Sequence, residues 1–259
     1  MGRIIGRAFW FGVLMAGAAG PVWAQGGARG AGAGAGVAMS DSSQLVGMAD
    51  GAMAGMGRMA EMDVNMAKHM RLTPERPATA ADTARAWELV RELRVALAPY
   101  QDTTAATAAG YHEFLPGVKG QKVYHFTNYR SAFTAQFRFD PTKPTSLLYK
   151  RAPDGTMKLV GAMYTAPKGF TYDQLNARVP LGIARWHEHV NWCLPRGGLN
   201  GGWLGERRGG QPVFGPESPI ATKAACDAAG GVFHPLLFNW MVHLNVFEGN
   251  DFGTIFEIM

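Results

Sequence analysis

SLLYKRAPDGTMKLVGAMY, residues 146–164, is the stretch that decides the fold. Ser146–Lys150 and Met157–Tyr164 are apolar runs on either side of Pro153-Asp154-Gly155. Proline presets its own φ and glycine accepts a positive one, so this tripeptide folds the two runs into a hairpin. Working outward, Ala80–Leu97 carries Trp87, Leu89, Val90, Leu93, Val95 and Leu97 at helical spacing before Pro99, and Thr103–Ala109 is a second, shorter helix ending at Gly110. On the C-terminal side, Tyr172–Arg178 reads as a short helix and Arg185–Leu194 as a strand. Ala221–Ala229 reads as a helix stopped by Gly230-Gly231, and Phe238–Phe247 as the last strand. Helices first and strands after, with a late helix among the strands, predict a single α+β domain over residues 76–259 built on an antiparallel sheet.

The N-terminus carries a different message. Arg3 and Arg7 precede an apolar run from Ala8 to Val22, and Val22-Trp23-Ala24 offers a peptidase site, so residues 1–24 read as a signal peptide with Gln25 as the new N-terminus. The run is too short to span a bilayer core of ~30 Å, and no later segment reaches the required apolar length. The expected location is therefore the periplasm or the medium, with no membrane span after cleavage. Residues 25–75 form a flexible arm, first Gly/Ala-rich and then methionine-rich. The net charge of +5 falls by two, to +3, with the loss of Arg3 and Arg7. No basic run is interleaved with aromatics, which argues against a nucleic-acid partner. The two cysteines, Cys193 and Cys226, are expected to pair in an oxidising compartment, closing a loop whose entropy is worth about 3 kcal/mol.

Two clusters carry potential chemistry. Eight of the fourteen methionines fall between Met39 and Met70, and Met56, Met59, Met62, Met66 and Met70 are three or four residues apart. On a helix these five occupy an arc of about 120°. One reading is an adaptable packing face, since thioethers fill irregular surfaces. The other is a soft-ligand site suited to Cu(I), with His69 adding an imidazole beside Met70. The second cluster is WHEHVNWC, residues 186–193. Strand alternation puts His187, His189, Asn191 and Cys193 on one side, with the two imidazoles ~7 Å apart. In FNWMVHLNVF, residues 238–247, Trp240, Val242, Leu244 and Val246 form a core face, with Met241, His243 and Asn245 opposite. If these strands are neighbours, His187, His189 and His243 converge, with His125 a fourth candidate and His112 and His234 weaker ones. Neutral imidazoles of that kind bind copper or zinc, and affinity is expected to fall as pH drops through about 6.5. The chain has no G-x-S-x-G, H-E-x-x-H, P-loop or G-x-G-x-x-G motif.

YHFTNYRSAF, FRFDPTKPTSLLY, LVGAMYTAP, WHEHVNWCLP and FNWMVHLNVFE together resemble an uncharacterised family of exported bacterial proteins, whose members carry a His/Met-rich stretch before an HxHxNxC segment. The resemblance covers about residues 69–259 and implies an exported, metal-binding domain without assigning ligands. Together these features predict an exported copper-binding carrier or buffer, with zinc as the alternative ion and another exported metalloprotein as a potential partner. Two expectations compete with it: an enzyme, a copper oxidoreductase or metal-assisted hydrolase, using the same three histidines, and a metal-free binding module in which the histidines are structural.

Overall fold

The computed structural model describes residues 67–118, 120–200, 206–208 and 211–258. The expected signal peptide, the Gly/Ala segment, and Met59, Met62 and Met66 lie outside these residues.

Helix α1 (Ala80–Leu97) starts at a capping box, with Thr79 and Asp82 each accepting from the other's backbone N–H. It buries Ala86, Leu89, Val90, Leu93 and Leu97. Val95, expected on the apolar face, is 77% exposed. It lies two residues from both Leu93 and Leu97, so a 100° step per residue turns it to the opposite side. Helix α2 (Thr103–Ala108) is capped by Asp102. Four short helices follow: α3 (Tyr129–Thr134), α4 (Tyr172–Arg178), α5 (Lys223–Ala228) and α6 (Phe252–Ile255).

The strands are β1 (Met70–Leu72), β2 (His112–Glu113), β3 (Tyr124–Thr127), β4 (Ser146–Arg151), β5 (Met157–Ala166), β6 (His187–Leu194), β9 (Val232–Leu236) and β10 (Trp240–Leu244). They make one antiparallel sheet in the order β1-β6-β10-β5-β4-β3-β2, with β9 also paired to β6. A separate ribbon joins β7 (Arg207–Arg208) to β8 (Gln211–Pro212). The fold is α+β with N-terminal helices, and the β4–β5 hairpin turns at Gly155, whose φ is +86°. Gly161 on β5 admits no side chain, because a Cβ there would lie 1.9 Å from the Leu244 carbonyl oxygen. The absence of that Cβ lets the end of β10 pass close over the hairpin.

The pleat separates the sheet into two different faces. One joins α1 in the main core, with Leu147, Tyr149, Leu159, Tyr164, Trp186, Trp240, Val242 and Leu244. The other carries Leu148, Val160, Met163 and Met241 as a small apolar cluster. A third cluster, centred on Trp192, Cys193, Leu194, Phe214 and Cys226, lies under the far half of β6. It contains the Cys193–Cys226 disulfide, with Cα atoms 5.5 Å apart and Cys226 on α5. Among the described residues, no helix is long and apolar enough to cross a membrane.

The arm expected over residues 25–75 ends earlier than its composition suggests. Met70–Leu72 pairs with His187–His189 as the edge strand of the sheet. Thr73 continues the attachment by donating its N–H to the Trp186 carbonyl at 2.9 Å, and its hydroxyl accepts from the Trp186 N–H at 3.2 Å. Arg71 binds the fully buried Glu188 carboxylate, its Nε–H donating to Oε2 at 2.9 Å. It also stacks over the Trp240 ring, 5.6 Å from the centroid. A chain shortened to begin at residue 67 keeps this attachment, whereas one shortened to begin at residue 76 loses it and leaves Glu188 buried without its cation. The second truncation is therefore expected to be less stable than the first by about 3–5 kcal/mol in urea titrations. Equal stabilities would show that β1 is dispensable.

Candidate metal centre

Four histidines meet on the sheet face opposite α1, each placed there by strand alternation. Tyr124 and Phe126 of β3 enter the main core, which turns His125 to the other side. Trp240, Val242 and Leu244 do the same for His243 on β10. On β6, Trp186 is in the main core and His187 follows it onto the opposite face. The result is a row of imidazoles. Ring centroids are 5.5 Å apart for His125 and His243, 5.0 Å for His243 and His187, and 5.4 Å for His187 and His189. His187 and His243 are buried, while His125 and His189 are half-buried at the two ends of the row. Phe238 and Trp192 stand against His189, at 5.6 and 4.9 Å between centroids.

Pairing of the buried polar groups here is uneven: Trp186 Nε1, Trp240 Nε1, Glu188 Oε1 and Asn245 Oδ1 lack partners among the described residues. Thr127 and Ser146 hydrogen-bond through their hydroxyls at 2.8 Å, and so do Thr145 and Thr165. By contrast, neither ring nitrogen of His187 has a hydrogen-bond partner among the described residues, and His243 Nδ1 also lacks one. A neutral imidazole always carries one N–H, and leaving such a donor buried and unpaired costs about 1–3 kcal/mol. Burial lowers the pKa of all four rings by penalising the charged form. His125 and His189 fall to about 4, and His187 and His243 fall well below the ordinary 6.5, helped by the charges their neighbours would carry. At neutral pH the row is a set of uncharged nitrogen donors. Protonation sets in well below the value of 6.5 expected for exposed rings.

The rings meet edge to face, at 79° for His187 with His189 and 71° for His187 with His243. In this arrangement no group of three or more His, Cys, Asp or Glu among the described residues is set to hold a metal ion. Adjacent rings of the row are nonetheless spaced as two ligands of one ion would be. Two imidazoles bound at 2.0–2.1 Å to one tetrahedral ion have centroids about 5 Å apart.

Other expected ligands are placed elsewhere. His69 is buried, and its Nε2 lies 2.7 Å from the Ser218 carbonyl oxygen, to which it donates. Asn191 does not continue the His187–His189 face, because its φ is +57° and that left-handed residue breaks the alternation. Its Nδ2 donates to the Lys68 carbonyl instead, at 3.3 Å, and Cys193 turns into the disulfide cluster. Met70 does reach the row, as the register partner of His189. His112 is exposed on β2, and His234 pairs with Trp192 on β9. Met163 was not among the expected site residues, and only the pairing of β5 with β10 locates it. No protein-family model matches this chain, and no curated protein or solved structure was found to be similar to it.

Because the folded rings resist protonation more than the unfolded ones, the metal-free protein loses stability as pH falls from about 6.5 toward 4. The loss levels off only below the folded pKa values. Urea midpoints measured across that range are expected to decline steadily. His187→Leu is expected to flatten this slope and to raise stability at pH 7 by about 1–3 kcal/mol, since it removes an unpaired buried donor. A destabilised His187→Leu protein would mean that this imidazole is a structural element.

Proposed function

We propose that this protein binds one transition-metal ion, copper in preference to zinc, through His187, His189 and His243, and that it acts outside the cytoplasm as a carrier or buffer. The observation that supports this reading best is His187. It is 1% exposed, neither ring nitrogen has a partner among the described residues, and imidazoles lie on both sides of it at 5.0 and 5.4 Å. An ion bound by the three rings would take the lone pair of one nitrogen in each, the acceptor position that the surrounding protein leaves open on His187. Neutral imidazoles are borderline ligands, well matched to copper and zinc and poorly matched to magnesium or calcium.

The half-buried rings at each end of the row suit a carrier. His189 and His125 are reachable from solvent, whereas His187 and His243 are enclosed, so an ion can be taken up at an end and held inside. His125 is available as a further donor next to His243. Export is supported by the signal-peptide pattern of residues 1–24 and by the Cys193–Cys226 disulfide, which persists in oxidising compartments.

Elemental analysis of the protein isolated from the periplasm or the medium, without added chelator, is the direct check. About one equivalent of copper per chain is expected. His187→Ala, His189→Ala and His243→Ala are each expected to weaken binding by about 100-fold or more, while His112→Ala and His234→Ala leave it unchanged. Zinc as the sole ion would reject the preference for copper. A metal-free protein that takes up neither ion on titration would reject the metal reading altogether.

A further inference from the structure

Three large aromatic side chains stand out into solvent on α3 and the turn that extends it. Tyr129, Phe133 and Phe137 are 64%, 67% and 76% exposed, and the Phe133 and Phe137 rings are 5.3 Å apart between centroids. The helical course continues past Thr134, whose carbonyl accepts from the N–H groups of Phe137 and Arg138, each at 3.0 Å. Residues four apart therefore stay on one side, and the three rings form a single stripe. Arg130 and Arg138 each follow a ring by one position and are also exposed. A step of 100° per residue sets them along the flank of the stripe. The segment is anchored and does not fray. Asn128 caps it, accepting from the Arg130 and Ser131 N–H groups at 3.0 and 3.1 Å. The buried Arg178 donates to the Ala135 carbonyl at 2.7 Å, and the Phe139 ring packs on Tyr164 at 5.0 Å. At about 200 Å² for a whole aromatic side chain, the three fractions amount to roughly 400 Å² of apolar surface held in water. A contiguous patch of that size marks a surface that meets a partner.

We infer that this face docks on a lipid bilayer with anionic headgroups, the rings entering the headgroup boundary and Arg130 and Arg138 meeting lipid phosphates. Charge favours that occupant. Residues 114–139 include Lys119, Lys122, Arg130 and Arg138 and contain no Asp or Glu. Asp140, the next acid along the chain, lies 3.9 Å from Arg138 and 3.5 Å from Lys143, so it is outnumbered. Arg130 has no ion-pair partner among the described residues. Area argues against a second copy. Two such patches pressed together bury roughly 800 Å², below the about 1,200 Å² of a stable protein pair, and they would bring two sets of arginines together. A bilayer sets no such threshold, because it takes in single aromatic rings at the headgroup level while its anionic lipids attract the cations. Docking of this kind is independent of the histidine row.

The full mature chain is mixed with vesicles of phosphatidylglycerol and phosphatidylcholine in equal parts, or of phosphatidylcholine alone, and the bound fraction is measured by flotation. Binding to the anionic vesicles is expected, weakened by high salt, with little binding to phosphatidylcholine. Phe133→Ser/Phe137→Ser and Arg130→Gln/Arg138→Gln are each expected to lower partitioning by about 10-fold or more, with thermal melts by circular dichroism unchanged. Val95→Ser, a change at an exposed apolar residue of α1, is expected to bind as the parent does. Failure of the parent to bind anionic vesicles would overturn the inference. So would undiminished binding by the phenylalanine variant, which would assign attachment to another part of the chain. An early melt of that variant would make the rings packing elements and would also reject it. A dimer seen by sedimentation, lost in the phenylalanine variant and unaccompanied by vesicle binding, would give the face to a second copy instead.

Discussion

The backbone pairing of β6 organises the molecule around it. Its first three residues pair with β1 on one side, His187 also pairs with β10 on the other, and four of its last five residues pair with β9. A single strand cannot serve a broad sheet and a small lateral cluster without changing direction. The left-handed Asn191 makes that change. Before it, alternation sends Trp186 into the main core and His187 to the opposite face. After it, Trp192, Cys193 and Leu194 are all buried in the disulfide cluster.

That arrangement has an electrostatic consequence. The face opposite α1 is covered well enough to exclude water from His187 and His243, yet its partners are mainly apolar or aromatic. Proteins ordinarily pair their buried polar atoms, and this one does so for Thr127, Ser146, Thr145 and Thr165 on neighbouring strands. Imidazoles left unpaired in such a place are an energetic burden on the metal-free fold. A burden of that kind is typical of sites whose geometry is set by a ligand rather than by stability. The ion pair of Arg71 with Glu188 acts in the opposite direction, fastening the edge strand and with it Met70 beside the histidine row.

Much of the fold was legible in the sequence because its signals are local. The α1 pattern, the turn at Asp154-Gly155 and the alternation of Trp240, Val242 and Leu244 each depend on residues a few positions apart. The pairing of the two cysteines was legible for a different reason: the chain contains only two. Strand β1 escaped because three residues following a methionine- and glycine-rich stretch carry no periodicity, and only the open edge of β6 makes them a strand. The kink at Asn191 escaped because alternation is the default and one left-handed residue has no signature beyond asparagine's tolerance of that conformation.

By itself, then, the sequence determined which side of each strand a histidine occupies, since a period of two is a property of the extended chain. It also determined that His187 and His189 would share one side of their strand and that His243 would lie opposite the apolar face of Trp240, Val242 and Leu244. Which strands are neighbours, and in what register, was decided only by the tertiary structure. Register depends on contacts between segments more than fifty residues apart, such as β6 with β10 and β1 with β6. The strand order set the four imidazoles in a row about 5 Å apart, placed a methionine opposite three of them, and sent His69 to a carbonyl oxygen instead.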